Sequence, residues 1–136
     1  MVILDASIAV KWFVDENESD LAISVLEELL YSPKDFAVPE LFFYEIHSVL
    51  HKIPEIDVHH ITQFTDRLQV SGLRRFPMTP ELWGLTQFFL KYGISSYDAS
   101  YAALARFLSG HWLTADLKAH KSLKKEKIST LLSDWK

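Results

Sequence analysis

Met1-Val2-Ile3-Leu4-Asp5-Ala6-Ser7, at the start of the chain, decides the reading of the fold. Four apolar residues in a row, with no polar alternation, read as a central parallel strand buried on both faces. Asp5 stops the run, and Ala6 to Val14 continues with helical spacing. An acidic residue therefore stands just past the carboxyl end of a buried strand, where open α/β sheets bind ligands.

Outward from that strand, short apolar runs keep alternating with helices. Apolar positions 21, 22, 25, 26, 29 and 30 predict an amphipathic helix over Leu21 to Tyr31, ended by Pro33. Phe36-Ala37-Val38 reads as a second strand, and Pro39 leads into a helix over Glu40 to Ile53 that Pro54 closes. A helix from about Asp57 to Val70 ends at Gly72, and Leu73 to Phe76 is a weak third strand. Pro80 opens a helix to about Lys91, ended by Gly93, and another runs from Ser95 or Ser96 to about Leu108. His111-Trp112-Leu113 is a fourth strand, Asp116 to Leu123 a short helix, and Ile128 to Leu132 a fifth strand. Strands alternating with helices or helix pairs predict an α/β fold with a parallel sheet.

At 136 residues the chain is long enough to bury roughly two thirds of its unfolded surface, which predicts one domain over residues 1–136. It has no cysteine, so disulfide frameworks, thiolate zinc sites, iron–sulfur clusters and cysteine nucleophiles are excluded. The longest unbroken apolar run, Tyr101 to Ala105, is far short of the roughly 18 to 20 residues that span a bilayer. With an acid at position 5, no signal peptide can form at the start, and a cytoplasmic location is the expectation. Net charge is −4, unevenly spread: residues 1–68 carry 4 Lys/Arg against 13 Asp/Glu, and residues 69–136 carry 10 against 5. Lys118, Lys121, Lys124, Lys125 and Lys127 make up much of the second half's excess; they read as a solvated face or as a phosphate-attracting cluster.

Four carboxylates sit oddly for solvated charges. Asp5 follows a buried strand, although Asp is also a favoured helix N-cap. Glu45 leaves from the flank of the predicted stripe Phe42, Ile46, Val49 and Ile53, where it is partnered or reaches solvent at the helix edge. Asp98 lies in Ile94-Ser95-Ser96-Tyr97-Asp98-Ala99, opening an alanine-rich helix, and could instead complete a capping box with Ser95. Asp116 follows the fourth strand in Thr114-Ala115-Asp116 and could simply cap the next helix. If the four converge, repulsion and desolvation disfavour their ionised forms unless a cation offsets them. Mg²⁺ or Mn²⁺ is the candidate, since hard divalent ions select oxygen, and such a site suits hydrolysis of a phosphodiester.

With MVILDASIAVKWF, PELFFYEIHSVL, ISSYDASYAALA and LTAD in that order, the chain resembles PIN-domain proteins, and more narrowly the VapC-type toxins of toxin–antitoxin pairs. The resemblance spans nearly the whole chain. It implies a three-layer α/β/α sandwich around a parallel sheet of four or five strands. It also implies a metal-dependent endoribonuclease with Asp5, Glu45, Asp98 and Asp116 as its acidic Mg²⁺ or Mn²⁺ site, Asp5 and Asp98 being the favoured direct ligands, and Glu45 and Asp116 binding a second ion, acting through coordinated water or helping to orient the attacking water. Ser7 and Thr114 match small hydroxyl positions beside such a site. The position three after the glutamate, often asparagine in these toxins, is Ser48 here, which shortens the support at that point. The implied partners are an RNA substrate, a repressing antitoxin and a second copy in a homodimer. Two other functions stay open: a PIN scaffold that binds RNA or protein without useful cleavage, and a PIN nuclease of RNA maturation without an antitoxin.

Other motifs carry less. His47 and His51 have a zinc-compatible spacing but no further ligand at a matching angle, and read as ordinary helix histidines. No G-x-S-x-G, P-loop or G-x-G-x-x-G sequence occurs. Leu21, Val25, Leu26, Leu29 and Leu30 read as core, or in part, with Trp12 and Phe13, as a groove for a partner helix. Trp83, Phe88 and Phe89, at helical spacing, read as core. Lys118, two residues after Asp116, is a candidate contact for a substrate phosphate.

Overall fold

The structure is a computed structural model and describes all 136 residues. Five strands form one parallel sheet: β1 (Val2–Leu4), β2 (Phe36–Pro39), β3 (Arg74–Phe76), β4 (His111–Thr114) and β5 (Ser129–Leu131). Their order is β3-β2-β1-β4-β5. β1 is central, with Ile3 opposite Ala37 on one side and Trp112 on the other. Ile3, Leu4, Ala37, Val38, Trp112 and Leu113 are buried, as an apolar strand covered on both faces requires.

The helices are α1 (Ala6–Val10), α2 (Ser19–Tyr31), α3 (Leu41–Leu50), α4 (Val58–Val70), α5 (Pro80–Leu90), α6 (Ser96–Phe107) and α7 (Leu117–Ser122). Right-handed crossovers run outward from β1 through β2 to β3 and then return across the sheet to β4 and β5, which places α1 to α4 on one face and α5 to α7 on the other. The result is the three-layer α/β/α sandwich. Because strand order reverses at β1, a crevice opens between the carboxyl ends of β1 and β4, the switch point at which such sheets bind ligands.

Five local expectations need correction. The first helix ends at Val10 instead of Val14, because Lys11, Trp12 and Phe13 bond to carbonyls three residues back and tighten the chain into a turn. The Trp12 indole then anchors that turn by donating to the Ala22 carbonyl at 2.7 Å. On α3 the buried stripe is Phe42, Phe43, Ile46 and Leu50; Val49 faces solvent, and the helix stops before Ile53. On α5 only Phe89 of the aromatic trio is core, while Trp83 and Phe88 are partly exposed and Lys91 stacks its ammonium 3.9 Å over the Phe88 ring. The α2 stripe buries Val25 and Leu29 and leaves Leu30 outside. Trp12 and Phe13 pack edge-on against Phe64, not into an open groove.

Candidate active site

Asp5 stands at the N-cap position of α1 but makes no capping bond. Its Oδ2 instead accepts the hydroxyls of Ser7 at 2.5 Å and Thr114 at 2.8 Å. Both hydroxyls are themselves braced: Ser7 Oγ accepts the Ala115 N–H, and Thr114 Oγ1 accepts the Asp116 N–H. The hydroxyls thus knit the end of β1 to the loop after β4 and turn the carboxylate into the crevice. With only 6% of its surface exposed, Asp5 is a desolvated acid and its pKa is raised. The two hydroxyls and the Trp112 indole oppose that shift, and Asp116 adds to it by repulsion.

Glu45 projects from the flank of α3 and is half-buried. The Tyr101 hydroxyl, on α6, donates to its Oε1 at 2.7 Å. Burial pushes Glu45 up to about 7, with Tyr101 opposing and the charges of Asp5 and Asp98 adding to the rise. Asp98, in the first turn of α6, rises to about 6 by burial and by repulsion from Asp5 and Asp116. Its N–H is held by Ser95 Oγ at 3.0 Å, one half of the anticipated capping box. Asp116 does cap its helix, accepting the Ala119 N–H at 3.0 Å. Repulsion links Asp5 with Asp116, Glu45 and Asp98, and Asp98 with Asp116 and Glu45, although Glu45 opens onto a different cleft from Asp98 and Asp116.

No three of these acids stand close enough to clasp one ion by themselves. The donor set is nonetheless all oxygen, with one carboxylate almost dry and two whose pKa values are raised, first by burial and then by neighbouring charges. That chemistry fits a hard divalent ion bound through one or two carboxylates that keeps most of its waters.

Around the acids the surface is divided. Asp98, Asp116, Ser95 and the exposed Lys118 line one cleft; Glu45, Ser48, Tyr44 and Tyr97 line another. Ser48 is exposed and makes no hydrogen bond to any of the four acids. The most apolar hollow, between Leu41, Tyr44, Phe76, Trp83 and Leu104, lies beside the acids and contains none of them. His47 faces Thr65 and His51 bonds the His47 carbonyl, so neither is arranged for a metal.

Sequence reasoning missed two residues, Tyr101 and Trp112. Tyr101 is fully buried and stacks on Trp112, with ring centroids 5.7 Å apart and planes 11° from parallel. Burial first, and then the charges of Asp5 and Glu45, push its phenol well above the usual range, so it remains a proton donor. The available signal was a large residue with a polar tip amid Ala99, Ala102, Ala103 and Ala105, since a buried phenol needs a partner.

A family model described as PIN domain matches residues 2–125. No curated protein sequence matches the chain. Among solved structures, it is similar to a toxin–antitoxin complex from Klebsiella pneumoniae, with TM-score 0.70 and 16% identity over 97% of this chain and 98% of that one. It is also similar to FitAcB from Neisseria gonorrhoeae, with TM-score 0.70 and 17% identity over 98% and 99%. A third similar structure is VapC20 of Mycobacterium tuberculosis, described as a sarcin-ricin loop cleaving toxin, with TM-score 0.68 and 14% identity over 90% and 95%.

Proposed function

The chain belongs to the PIN domain family, and on that premise we propose that it is a Mg²⁺- or Mn²⁺-dependent endoribonuclease, the toxin of a toxin–antitoxin pair. The observation that carries this reading is the buried Asp5 carboxylate at the sheet's switch point, which caps no helix and is held by Ser7 and Thr114, with Asp116 tied to the same threonine hydroxyl. A buried acid kept only as a helix cap would be a needless cost, and the buried Asp5 caps nothing. The toxin assignment draws support from the fold shared with toxin–antitoxin proteins; an antitoxin partner and pairing of two copies belong to the same proposal.

Asp5 and Asp98 would hold the ion, with Asp116 beside them and Glu45 facing them from α3. When bound, the ion supplies Lewis acidity toward a phosphate oxygen and a lowered pKa for a coordinated water. Ser7 and Thr114 orient Asp5. Glu45, titrating near neutrality, suits a group that takes a proton from an attacking water. Lys118, which lines the same cleft as Asp98, would attract a substrate phosphate.

The test is cleavage of a mixed RNA pool with Mg²⁺ or Mn²⁺, with and without EDTA, beside Asp5→Asn and Asp98→Asn. Cleavage that needs the metal and vanishes in both folded variants supports the enzyme. One observation favours a second reading, an RNA- or protein-binding scaffold: the acids do not close into a ready three-carboxylate clasp. An unmodified chain that binds RNA and never cuts it would select that reading.

A further inference from the structure

Beneath the acids, Tyr101 from α6 and Trp112 from β4 lie face to face, both wholly buried. Their polar tips serve different carboxylates. The Tyr101 hydroxyl donates to Glu45 Oε1, and the Ala6 N–H, at the start of α1, faces the same phenolic oxygen. The Trp112 indole N–H closes no full hydrogen bond, yet it faces Asp5 and favours that residue's ionised form. An orphaned buried N–H is costly unless something is gained from it.

We infer that the stacked Tyr101–Trp112 pair is the positioning floor of the site, with the Tyr101 hydroxyl fixing Glu45 through Oε1 and leaving Oε2 with no protein partner, open to water or a cation. Without the hydroxyl, Glu45 would sample several rotamers at the edge of α3, since no other side chain bonds it. The aromatic rings make the anchor stiff: packed against β4, they have no room to follow a moving carboxylate. Tyr101 sits three residues after Asp98, so one turn of α6 presents an acid to the crevice and a latch to its neighbour from α3. The role of the pair as support for a metal-assisted nuclease rests on the function proposed above, whereas the anchoring of Glu45 does not.

Tyr101→Phe, which keeps the ring and its stacking, tests this in the full chain. Three readouts are compared with the unmodified protein: side-chain order of Glu45 by carbon-13 relaxation without metal, Mn²⁺ affinity by calorimetry, and RNA cleavage split into kcat and KM. Glu45 should become disordered, Mn²⁺ binding should weaken roughly 10- to 100-fold, and kcat should fall by a similar factor with KM nearly unchanged. In a Glu45→Gln background, Tyr101→Phe should add little to the loss of kcat; a merely structural role would make the two losses multiply. Trp112→Phe, retaining an aromatic ring on β4, should weaken Mn²⁺ binding through Asp5 while leaving Glu45 ordered. An equally rigid Glu45 in Tyr101→Phe overturns the inference, as do independent losses in the double variant. If Glu45 loosens but even the unmodified protein neither binds Mn²⁺ nor cuts RNA, the anchor stands and the nuclease reading fails.

Discussion

Thr114 donates its hydroxyl to Asp5 Oδ2 at 2.8 Å, joining residues 109 positions apart across the β1–β4 pair. The same hydroxyl oxygen accepts the Asp116 N–H, so one small side chain holds two of the four acids in register. Thr114→Val preserves shape and removes both bonds. It should destabilise the protein by about 1–3 kcal/mol, because a backbone N–H and a buried carboxylate each lose a partner. Denaturant unfolding measures that loss, and Mn²⁺ affinity should fall with it.

Asp5→Asn should separate stability from activity. The substitution removes a desolvated charge whose pKa burial already raises, and an amide oxygen can still accept from Ser7 and Thr114. RNA cleavage should drop at least about 100-fold, while the melting temperature in EDTA stays level or rises. A clear fall in melting temperature would show that Asp5 is a structural residue.

Metal-free stability should decline as pH rises through the weakly acidic range. Glu45 at about 7 and Asp98 at about 6 both lie above their unfolded values, so between about pH 4 and 7 the native state holds protons that the unfolded chain has released. Their contribution is complete below the unfolded pKa and is lost as pH climbs through the folded one. Thermal unfolding in EDTA across this window should show the decline, and Glu45→Gln should flatten it.

Mn²⁺ should reverse that trend. Binding requires ionised carboxylates, so it should release protons near pH 6, which calorimetry in two buffers of different ionisation enthalpy would count. At about 100 times its Kd the ion should add about 2.7 kcal/mol of stability. Protection that is identical at pH 5.5 and 7.5 would argue against these acids as its ligands.

Gly110→Ala tests the frame on which the site hangs. A Cβ at this position would lie 2.3 Å from the Met1 carbonyl oxygen and 3.1 Å from Ile3 Cδ1, so β1 and β4 would have to part. The Met1 carbonyl also accepts the His111 N–H that starts their ladder. A loss of about 1–3 kcal/mol or more in denaturant unfolding is expected, with Mn²⁺ binding weakened alongside it.

The frame was legible in local patterns. Short apolar runs located β1, β2 and β4, because a strand buried on both faces leaves no polar alternation to confuse the reading, whereas the edge strands β3 and β5, with exposed or half-buried polar residues, gave only a weak signal. The acids stood out as charges at the ends of buried elements. Less visible was everything set by contacts between distant segments. Val49 belongs to the same heptad-like spacing as its buried neighbours, and only the packing of α3 shows that Leu50 takes its place. Trp83 and Phe88 share helical spacing with Phe89, yet α5 turns just one of the three inward. Capping predicted Asp116 and failed for Asp5, where two hydroxyls, one of them from the far end of the chain, outcompete the helix's own N–H groups. The bond from Tyr101 to Glu45 spans 56 residues and has no signature in either helix alone.

The placement of β1 between β2 and β4 also sets an order of assembly during synthesis. Asp5 is synthesised 109 residues before Thr114, the residue whose strand supplies its partner hydroxyl and the acid after it. A growing polypeptide can form β1, β2 and the helices between them while the crevice still lacks one wall. Under the nuclease function proposed above, the growing chain would therefore lack a complete site until β4 and the loop after it have been made.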